Sequence, residues 1–304
     1  MEETVTAKKE IILSAGSIMS PSVLQHSGIG DADALSALGI DVVHNLPSVG
    51  QNLTEHPLLP SAWQVKATDT WDDLFRNETL LEETLLEWSQ TKSGVFTHPP
   101  LSFLGWLRLP DNSSIFETVE DPAAGPDTAH TELIWINGFV GPEPAEGNFL
   151  TLASAVVSPT SRGSVTVNSS NPLDPPVINF NILSTDFDRF ALREAFRSSA
   201  RFLEASSWPD FIVAPPTNAT TDEEIDAFIR ENAATIFHPV STVAMSPKDA
   251  SWGVVDPDLR VKGVKGLRVV DASVMPMIPA AHTQVPTYLI SERAADLIKE
   301  AWFE

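Results

Sequence analysis

The chain contains no cysteine among its 304 residues. That absence excludes disulfide bonds, thiolate metal sites and thiol catalysis, and the redox compartment cannot be inferred from the composition. Basic residues are also scarce, because 19 Lys and Arg stand against 41 Asp and Glu, giving a formal net charge of -22. Such a charge repels phosphate backbones and anionic membrane surfaces, so we expect neither nucleic acid nor a membrane as a partner.

Several common motifs are missing as well. No apolar run reaches the length of a membrane span, and the start at Met1 lacks the basic and apolar regions of a signal peptide. There is no His-Glu-x-x-His motif, no Gly-x-Ser-x-Gly motif and no P-loop lysine, and we predict no metal site. Gly28 and Gly30 begin like a dinucleotide fingerprint, but Asp33 occupies the third glycine position and a helix is expected before them.

What is present indicates a folded protein of one or two domains, since 42% of 304 residues are hydrophobic. Five Asn-x-Ser/Thr sequons favour a secreted glycoprotein, a prediction that conflicts with the missing export signal unless the beginning of the chain is absent. The sequons are at Asn52, Asn77, Asn112, Asn168 and Asn218.

The first forty residues read as strand, helix and helix. Residues 10–16 predict a short buried strand, followed by a helix with Ser20 as N-cap and Pro21 in its first turn. That helix should stop at Gly28. A second helix should begin after the N-cap Asp31 and end at Gly39.

The middle of the chain combines a helix with strands. Residues 78–88 carry apolar side chains at helical spacing, which predicts a packed surface helix. A strand is expected at 132–136. The β-rich segments 150–157 and 163–167 flank the turn-like stretch 158–162, and this pattern favours a strand pair.

Helices dominate the last third. Residues 186–203 predict an amphipathic helix, and Thr221 to Glu224 form a capping box that opens another. A buried strand is expected at 267–271, and Thr283 can cap a last helix with Pro286 in its first turn. The mixture predicts an α/β or α+β fold with a sheet at its centre.

Several stretches together resemble one family, the glucose-methanol-choline (GMC) oxidoreductases. Residues 16–30 match the second signature of that family closely, and the remaining matches follow in the expected order. These stretches are GSIMSPSVLQHSGIG at 16–30, VGQNLTEHP at 49–57, SPTSRG at 158–163, FHP at 237–239, VDASVMP at 270–276 and AHTQVPT at 281–287.

The resemblance implies an incomplete GMC fold, in which a partial FAD-binding, Rossmann-like domain is interleaved with a mixed-sheet substrate-binding domain. On this basis we expect a segment of the FAD domain at 1–55, the substrate domain at 56–235 and a return to the FAD domain at 236–304. The N-terminal Gly-x-Gly-x-x-Gly unit of full-length members is not in the chain. A separate or preceding N-terminal half would then be needed to hold the ADP portion of FAD.

The resemblance also implies an activity: hydride transfer from a primary alcohol to flavin N5 while a histidine takes the hydroxyl proton. The match places that base at His238 and its partner, which hydrogen-bonds the alcohol oxygen, at His282. A histidine pair most resembles aryl-alcohol oxidases, and Phe237 could pack against an aromatic alcohol. His56 lies in a family motif, but we expect it to anchor a turn.

The cofactor-binding residues implied by the resemblance lie in the last 35 residues. They are Asp271, Ala272, His282, Thr283, Gln284 and Val285. Independently, the start of the last helix would direct free N–H groups and a positive dipole end outward, where the anionic edge of a reduced flavin can be stabilised.

Two classes of function remain open from the sequence. One is an FAD-dependent alcohol oxidase or dehydrogenase, extracellular in its full-length form and active only in the complete fold, with oxygen or a quinone as acceptor. The other is a non-catalytic remnant or binding module without FAD, which the missing glycine fingerprint favours.

Overall fold

The computed structural model describes residues 4–141, 144–205 and 210–302. The expectations that concern Met1 lie outside these ranges. The chain divides into two compact units, which we call unit 1 and unit 2. Unit 1 comprises residues 1–56, 159–184 and 237–304, and unit 2 comprises 57–158 and 185–236.

The described residues form seven α-helices and fourteen short strands. The helices are α1 Gly16–His26, α2 Ala32–Ala37, α3 Trp71–Arg76, α4 Glu78–Thr91, α5 Asp186–Leu203, α6 Asp222–Asn232 and α7 Gln284–Trp302. The strands are β1 Ile11–Leu13, β2 Ile29–Gly30, β3 His44–Asn45, β4 Gln51–Leu53, β5 Pro57–Leu59, β6 Ala62–Val65, β7 Leu101–Leu107, β8 Thr131–Asn137, β9 Asn148–Val156, β10 Gly163–Thr166, β11 Val177–Asn179, β12 Ile212–Ala214, β13 Ala234–Thr235 and β14 Leu267–Val269.

Unit 2 is built on one seven-stranded sheet in which every described pairing is antiparallel. Strand β9 pairs with β8 along one edge and with the successive strands β5 and β6 along the other. Helix α5 covers β8 and β9 with buried residues that include Phe187, Leu192 and Phe196. The resemblance implied a mixed sheet, and the described pairings refine that to an antiparallel one.

Unit 1 contains smaller sheets around a separate apolar core. Strands β1 and β14 pair in parallel, although Leu13 and its register partner Val269 lie 256 positions apart in the sequence. Strand β10 lies between β11 and β4. The core includes Leu24, Val243 and Val269, all at most 1% exposed.

Helix α1 begins one turn earlier than the sequence predicted. The expected N-cap Ser20 lies inside the helix, and Pro21 is its sixth residue. Pro21 has no N–H to donate to the carbonyl of Ser17, four residues earlier. That carbonyl instead accepts a hydrogen bond from Thr242 Oγ1 at 2.7 Å, so a side chain from the far end of the sequence replaces the missing helical donor.

Strand β1 is also more exposed than predicted, because Ile11 and Ile12 are 58% and 44% accessible. Its one described strand neighbour is β14. The predicted helix ends are confirmed, since Gly28 and Gly39 follow α1 and α2 with positive φ angles of 77° and 74°. A left-handed backbone of this kind is open to glycine at little cost.

Three helix predictions are confirmed and one packing prediction is wrong. Asp31 Oδ1 accepts from Ala34 N at 2.9 Å as the cap of α2, helix α5 spans the predicted residues, and the reciprocal capping box of Thr221 and Glu224 opens α6. Helix α4 forms, but none of its residues is buried. Its predicted packing stripe includes Leu85 and Trp88, which are 45% and 41% exposed.

The predicted strand pair on either side of residues 158–162 is wrong. Strand β9 pairs within the sheet of unit 2, whereas β10 pairs with β4 and β11 in unit 1. Gln25 explains the second assignment, because its buried amide donates to Val165 O at 3.0 Å and accepts from Val167 N at 2.9 Å. Residues 159–184 therefore group with unit 1, whereas the sequence predicts them in the middle domain at 56–235. Within the described residues, no helix is both long and apolar enough to cross a membrane.

Candidate active site

A backbone bridge joins the two segments that carry the site of unit 1. Thr54 N donates to Val240 O at 3.1 Å, and Val240 N donates to Thr54 O at 3.0 Å. This antiparallel contact links the end of β4 to residues more than 180 positions later. It brings Glu55 and His56 alongside His238.

Glu55 is 3% exposed, and its carboxylate accepts hydrogen bonds from the backbone on both sides of the histidine contact. Its Oε1 accepts from His56 N at 2.8 Å and from His238 N at 3.0 Å, and its Oε2 accepts from His238 N at 3.1 Å. A carboxylate that accepts several N–H groups is well suited to the ionised, acceptor-only form. The carboxylate therefore anchors the backbone on both sides of the histidine contact.

Three histidine rings follow one another at this place. His56 Nδ1 lies 3.1 Å from His238 Nδ1, which is hydrogen-bonding distance, and the two rings meet edge to face. On the other side, the centroid of His282 lies 4.8 Å from that of His238, with an interplanar angle of 77°. Among the residues described, no group of three or more His, Cys, Asp or Glu is arranged to hold a metal ion.

The environment of His238 keeps its imidazole neutral. The pKa of His238 falls to about 4, first because burial disfavours the charged ring and second because His282 would place a like charge beside it. At neutral pH the ring therefore has one unprotonated nitrogen. That is the state a proton acceptor needs.

Phe237 precedes His238 in an unusual conformation. Its φ angle is 63°, in the left-handed region that bulky residues seldom adopt, and its side chain is 84% exposed. Strained backbone of this kind is concentrated at functional sites, where the surrounding contacts hold it. The Glu55 bonds to the next amide supply such contacts.

Asp271 makes its side-chain hydrogen bonds with residues of unit 1. Its Oδ2 accepts from Gly16 N at 3.0 Å and Ser20 Oγ at 2.6 Å, while Oδ1 accepts from Ser273 N at 2.8 Å and from Ser273 Oγ. Asp271 is buried, with 7% of the residue exposed. It joins the start of α1 to the end of β14, so its side chain is engaged inside the protein and Ala272, half-buried, is the more open of the pair.

The other predicted cofactor residues lie at the start of α7, directly after His282. Thr283 is 9% exposed, and its carbonyl accepts the first helical bond, from Thr287 N at 3.1 Å. Gln284 is exposed, and Val285 is 64% exposed. Since the first N–H groups of a helix have no acceptor within it, this end of the 19-residue α7 can serve an anionic group.

The structure thus brings together His238, His282 and the start of α7, and it adds Glu55 and His56 to them. Sequence reasoning assigned His56 to a turn and did not consider Glu55 at all. The signal that points to them is the pair of ionisable side chains in an otherwise neutral motif, residues 49–57. It becomes specific when the contact with His238 is known.

Two family models match the chain, both described as GMC oxidoreductase. One covers residues 1–58 and the other residues 159–291. Among similar proteins, dehydrogenase eriK of Hericium erinaceus is 40% identical over 97% of this chain and 51% of its own length. Pyranose dehydrogenase of Agaricus campestris is 38% identical over 98% of this chain and 51% of its own length. The chain therefore spans about half the length of the curated relatives it matches.

Solved structures give the same picture of the fold. A formate oxidase from Aspergillus oryzae, studied for modification of its FAD, superposes with a TM-score of 0.90 at 32% identity, covering 97% of this chain and 55% of that chain. A fungal aryl-alcohol oxidase superposes with a TM-score of 0.82 at 28% identity, covering 99% and 56%.

Proposed function

Because this chain belongs to the GMC oxidoreductase family, we propose that it carries the base and the substrate-positioning residues of an FAD-dependent oxidation of small alcohols. The observation that carries the proposal is His238, a histidine held neutral, with a pKa of about 4, between the rings of His56 and His282. A proton acceptor and a hydrogen-bonding neighbour are what the alcohol oxygen requires.

The chemistry divides between this chain and its cofactor. FAD, when bound, supplies the acceptor for the hydride that leaves the carbon of the alcohol. His238 accepts the hydroxyl proton as the C–H bond breaks, and His282 hydrogen-bonds the same oxygen and orients it. The alcohol loses one hydride and one proton and becomes the carbonyl compound.

The residues at the start of α7 fit the cofactor. Exposed Gln284 and Val285 present the helix N-terminus beside His282, where the negative edge of a reduced flavin would be stabilised. Ala272 can contribute backbone contacts, and Thr283 shapes the first turn. Asp271 fits only indirectly, because its carboxylate holds Gly16, Ser20 and Ser273.

Exposed apolar surface on unit 1 supports the proposal that another segment covers this face in the active form. Ile11 and Ile12 of β1, and Val285, Tyr288 and Leu289 of α7, are between 44% and 67% accessible. Exposed apolar groups on a two-stranded sheet and its helix are typical of a covered face. We propose that the other half of a full-length protein, equal to the half of the relatives that this chain does not match, covers them and binds the ADP part of FAD.

For the substrate we propose a primary aromatic alcohol. The 84% exposed ring of Phe237, directly before His238, offers an aromatic contact to such a substrate. The relative named pyranose dehydrogenase makes a sugar the comparison to include. The electron acceptor to test is either oxygen or a quinone, because the names of similar proteins include both oxidases and dehydrogenases.

We also propose that the full-length form is secreted and glycosylated. Four of the five sequon asparagines are exposed in the structure, whereas Asn52 is half-buried in the middle of β4 and the Thr54 of its sequon is 1% exposed. Expression through a secretory pathway followed by glycopeptide mass spectrometry tests this. We expect glycans at the four exposed positions, Asn77, Asn112, Asn168 and Asn218.

The central experiment compares visible spectra of the 304-residue chain and of a version extended to the full length of its relatives, each purified with excess FAD. We expect the extended protein to be yellow and to be bleached by an aryl alcohol under anaerobic conditions. His238→Asn should bind flavin without bleaching, while the control His98→Asn, at an exposed position, should bleach normally. Absence of flavin from the extended form would favour the non-catalytic binding module instead.

A further inference from the structure

The feature that the proposed reaction leaves unexplained is the contact between His56 and His238. His56 is 1% exposed and its Nδ1 lies 3.1 Å from Nδ1 of His238. We infer that His56 is a positioning residue that accepts the Nδ1 proton of His238 and so keeps Nε2 of His238 free as the base. This inference rests on the proposed function for its chemical purpose, but the protonated nitrogen can be measured without any turnover.

The backbone around His238 fixes where its ring can lie. Both oxygens of Glu55 accept from the amide of His238, and the bridge between Thr54 and Val240 holds the flanking segment. His56 is tied to the same carboxylate through its own amide, at 2.8 Å. The two rings are therefore oriented by one shared anchor, as the precise placement of a proton acceptor requires.

The hydrogen bond between the two Nδ1 atoms contains one proton, and either ring can carry it. In one arrangement, His56 donates, and neutral His238 then carries its remaining proton on Nε2 and has no basic nitrogen left for a substrate. In the other, His238 donates and its Nε2 is free. Because the bond occupies Nδ1, Nε2 is the nitrogen of His238 that can take a proton in this arrangement.

The transfer of the alcohol proton to His238 favours the second arrangement, in which His238 donates to His56. When His238 is protonated, both of its nitrogens carry hydrogen, and a donor on His56 Nδ1 would then face another donor. If His238 already donates to His56, the bond persists through the reaction and no ring must turn. The O–H bond of the alcohol breaks, an N–H bond forms at Nε2 and the proton later leaves to solvent.

The other titratable groups that face His238 among the described residues are Glu55 and His282. The carboxylate of Glu55 contacts the amide of His238, and the His282 ring lies at 4.8 Å from centroid to centroid. Nδ1 of His238 shares its hydrogen bond with Nδ1 of His56, at 3.1 Å. His56 is therefore the partner that decides the tautomer.

The test is nitrogen NMR of the chain labelled with 15N-histidine, using two-bond proton–nitrogen correlations to identify the protonated ring nitrogen. His238 is assigned with His238→Gln. At neutral pH we expect its proton on Nδ1. In His56→Leu the Nε2–H form should become the major one, and in His56→Asn, whose amide oxygen can accept, the Nδ1–H form should return.

The outcomes separate this inference from the proposed function. A proton on Nε2 of His238 in the unmodified chain, or an unchanged tautomer in His56→Leu, refutes the positioning role. In the full-length flavoprotein, His56→Leu should lower kcat at least about tenfold with a smaller change in KM, and His56→Asn should recover most of it. Circular dichroism of each variant, with His98→Asn as control, verifies that the fold is retained. The predicted tautomer in a protein that oxidises no alcohol would refute the proposed function alone.

Discussion

Lowering the pH is the perturbation that tests the neutral state of His238 most directly. The pKa of His238 is held at about 4 by burial and, in second place, by His282. With that value, His238 is about 97% neutral at pH 5.5 and fully neutral at pH 7.5. With the ordinary value near 6.5, only about 9% would be neutral at pH 5.5.

The two cases give different rates in the full-length flavoprotein. Since only neutral His238 can accept the proton, kcat/KM should be nearly the same at pH 5.5 and pH 7.5, whereas an ordinary histidine predicts a decrease of about tenfold. The acid limb of the profile should lie near pH 4. A tenfold decrease between pH 7.5 and 5.5 would refute our reasoning about the environment of His238.

A substitution at His282 tests the second cause separately. His282→Asn removes the like charge, so the pKa of His238 should rise, while burial should still keep it below the ordinary value. The measurement is an NMR titration of the His238 ring, which does not depend on activity. The control His98→Asn should leave the titration of His238 unchanged, and an unmoved midpoint in His282→Asn would contradict the attribution to His282.

Other predictions follow from particular contacts. Because the pKa of His238 is lower in the folded than in the unfolded chain, stability should decrease as the pH falls from about 6.5 to about 4, and His238→Gln should remove that part of the decrease in urea unfolding. Asp271→Asn should cost about 1.5–3 kcal/mol, since a donor would replace a charged acceptor of Gly16 N–H and Ser20, and urea titration measures it. Thr221→Ala should cost about 1 kcal/mol through loss of the α6 cap, again by urea titration. Phe237→Ala and Phe237→Gly should raise KM for an aryl alcohol equally. The glycine variant should nevertheless be about 1–2 kcal/mol more stable than the alanine variant, because glycine adopts the left-handed backbone without strain.

Local sequence signals predicted the elements whose stability is local. The span of α5 and the caps at Asp31 and Thr221 follow from residues within one or two turns, and all three are confirmed. The start of α1 could not be predicted in this way. Its first turn is held by Asp271, and the Ser17 carbonyl that Pro21 cannot serve accepts from Thr242, and both partners lie more than 220 positions away.

Apolar periodicity also indicated more burial than the described chain provides. The stripe of α4 and the strand β1 have the patterns of packed elements, yet both leave apolar side chains exposed. An apolar pattern indicates that a face is suited to burial, but it does not identify the partner that covers the face. For β1, a segment of a longer protein is the covering partner we propose.

The candidate site was predicted in part. The family resemblance led to His238 and His282, but it could not reveal that Glu55 holds the amide of His238 or that His56 holds its ring. Those contacts join residues 182 and 183 positions apart, and they depend on the bridge between Thr54 and Val240. Spacing along the chain contains no information about such a contact until the fold is known.

The same long-range contacts couple the stability of unit 1 to the geometry of its site. The three chain segments of this unit meet through buried polar bonds: Gln25 to the segment containing Val165, and Asp271 and Thr242 to α1. Buried hydrogen-bonded groups of this kind tolerate little displacement, because an unpaired partner would be costly. The strained Phe237 and the histidine that follows it are attached to this framework through Val240 and Glu55. A variant that loosens Asp271 should therefore disturb the His56 to His238 contact as well as the free energy of unfolding, and the tautomer of His238 would report that disturbance.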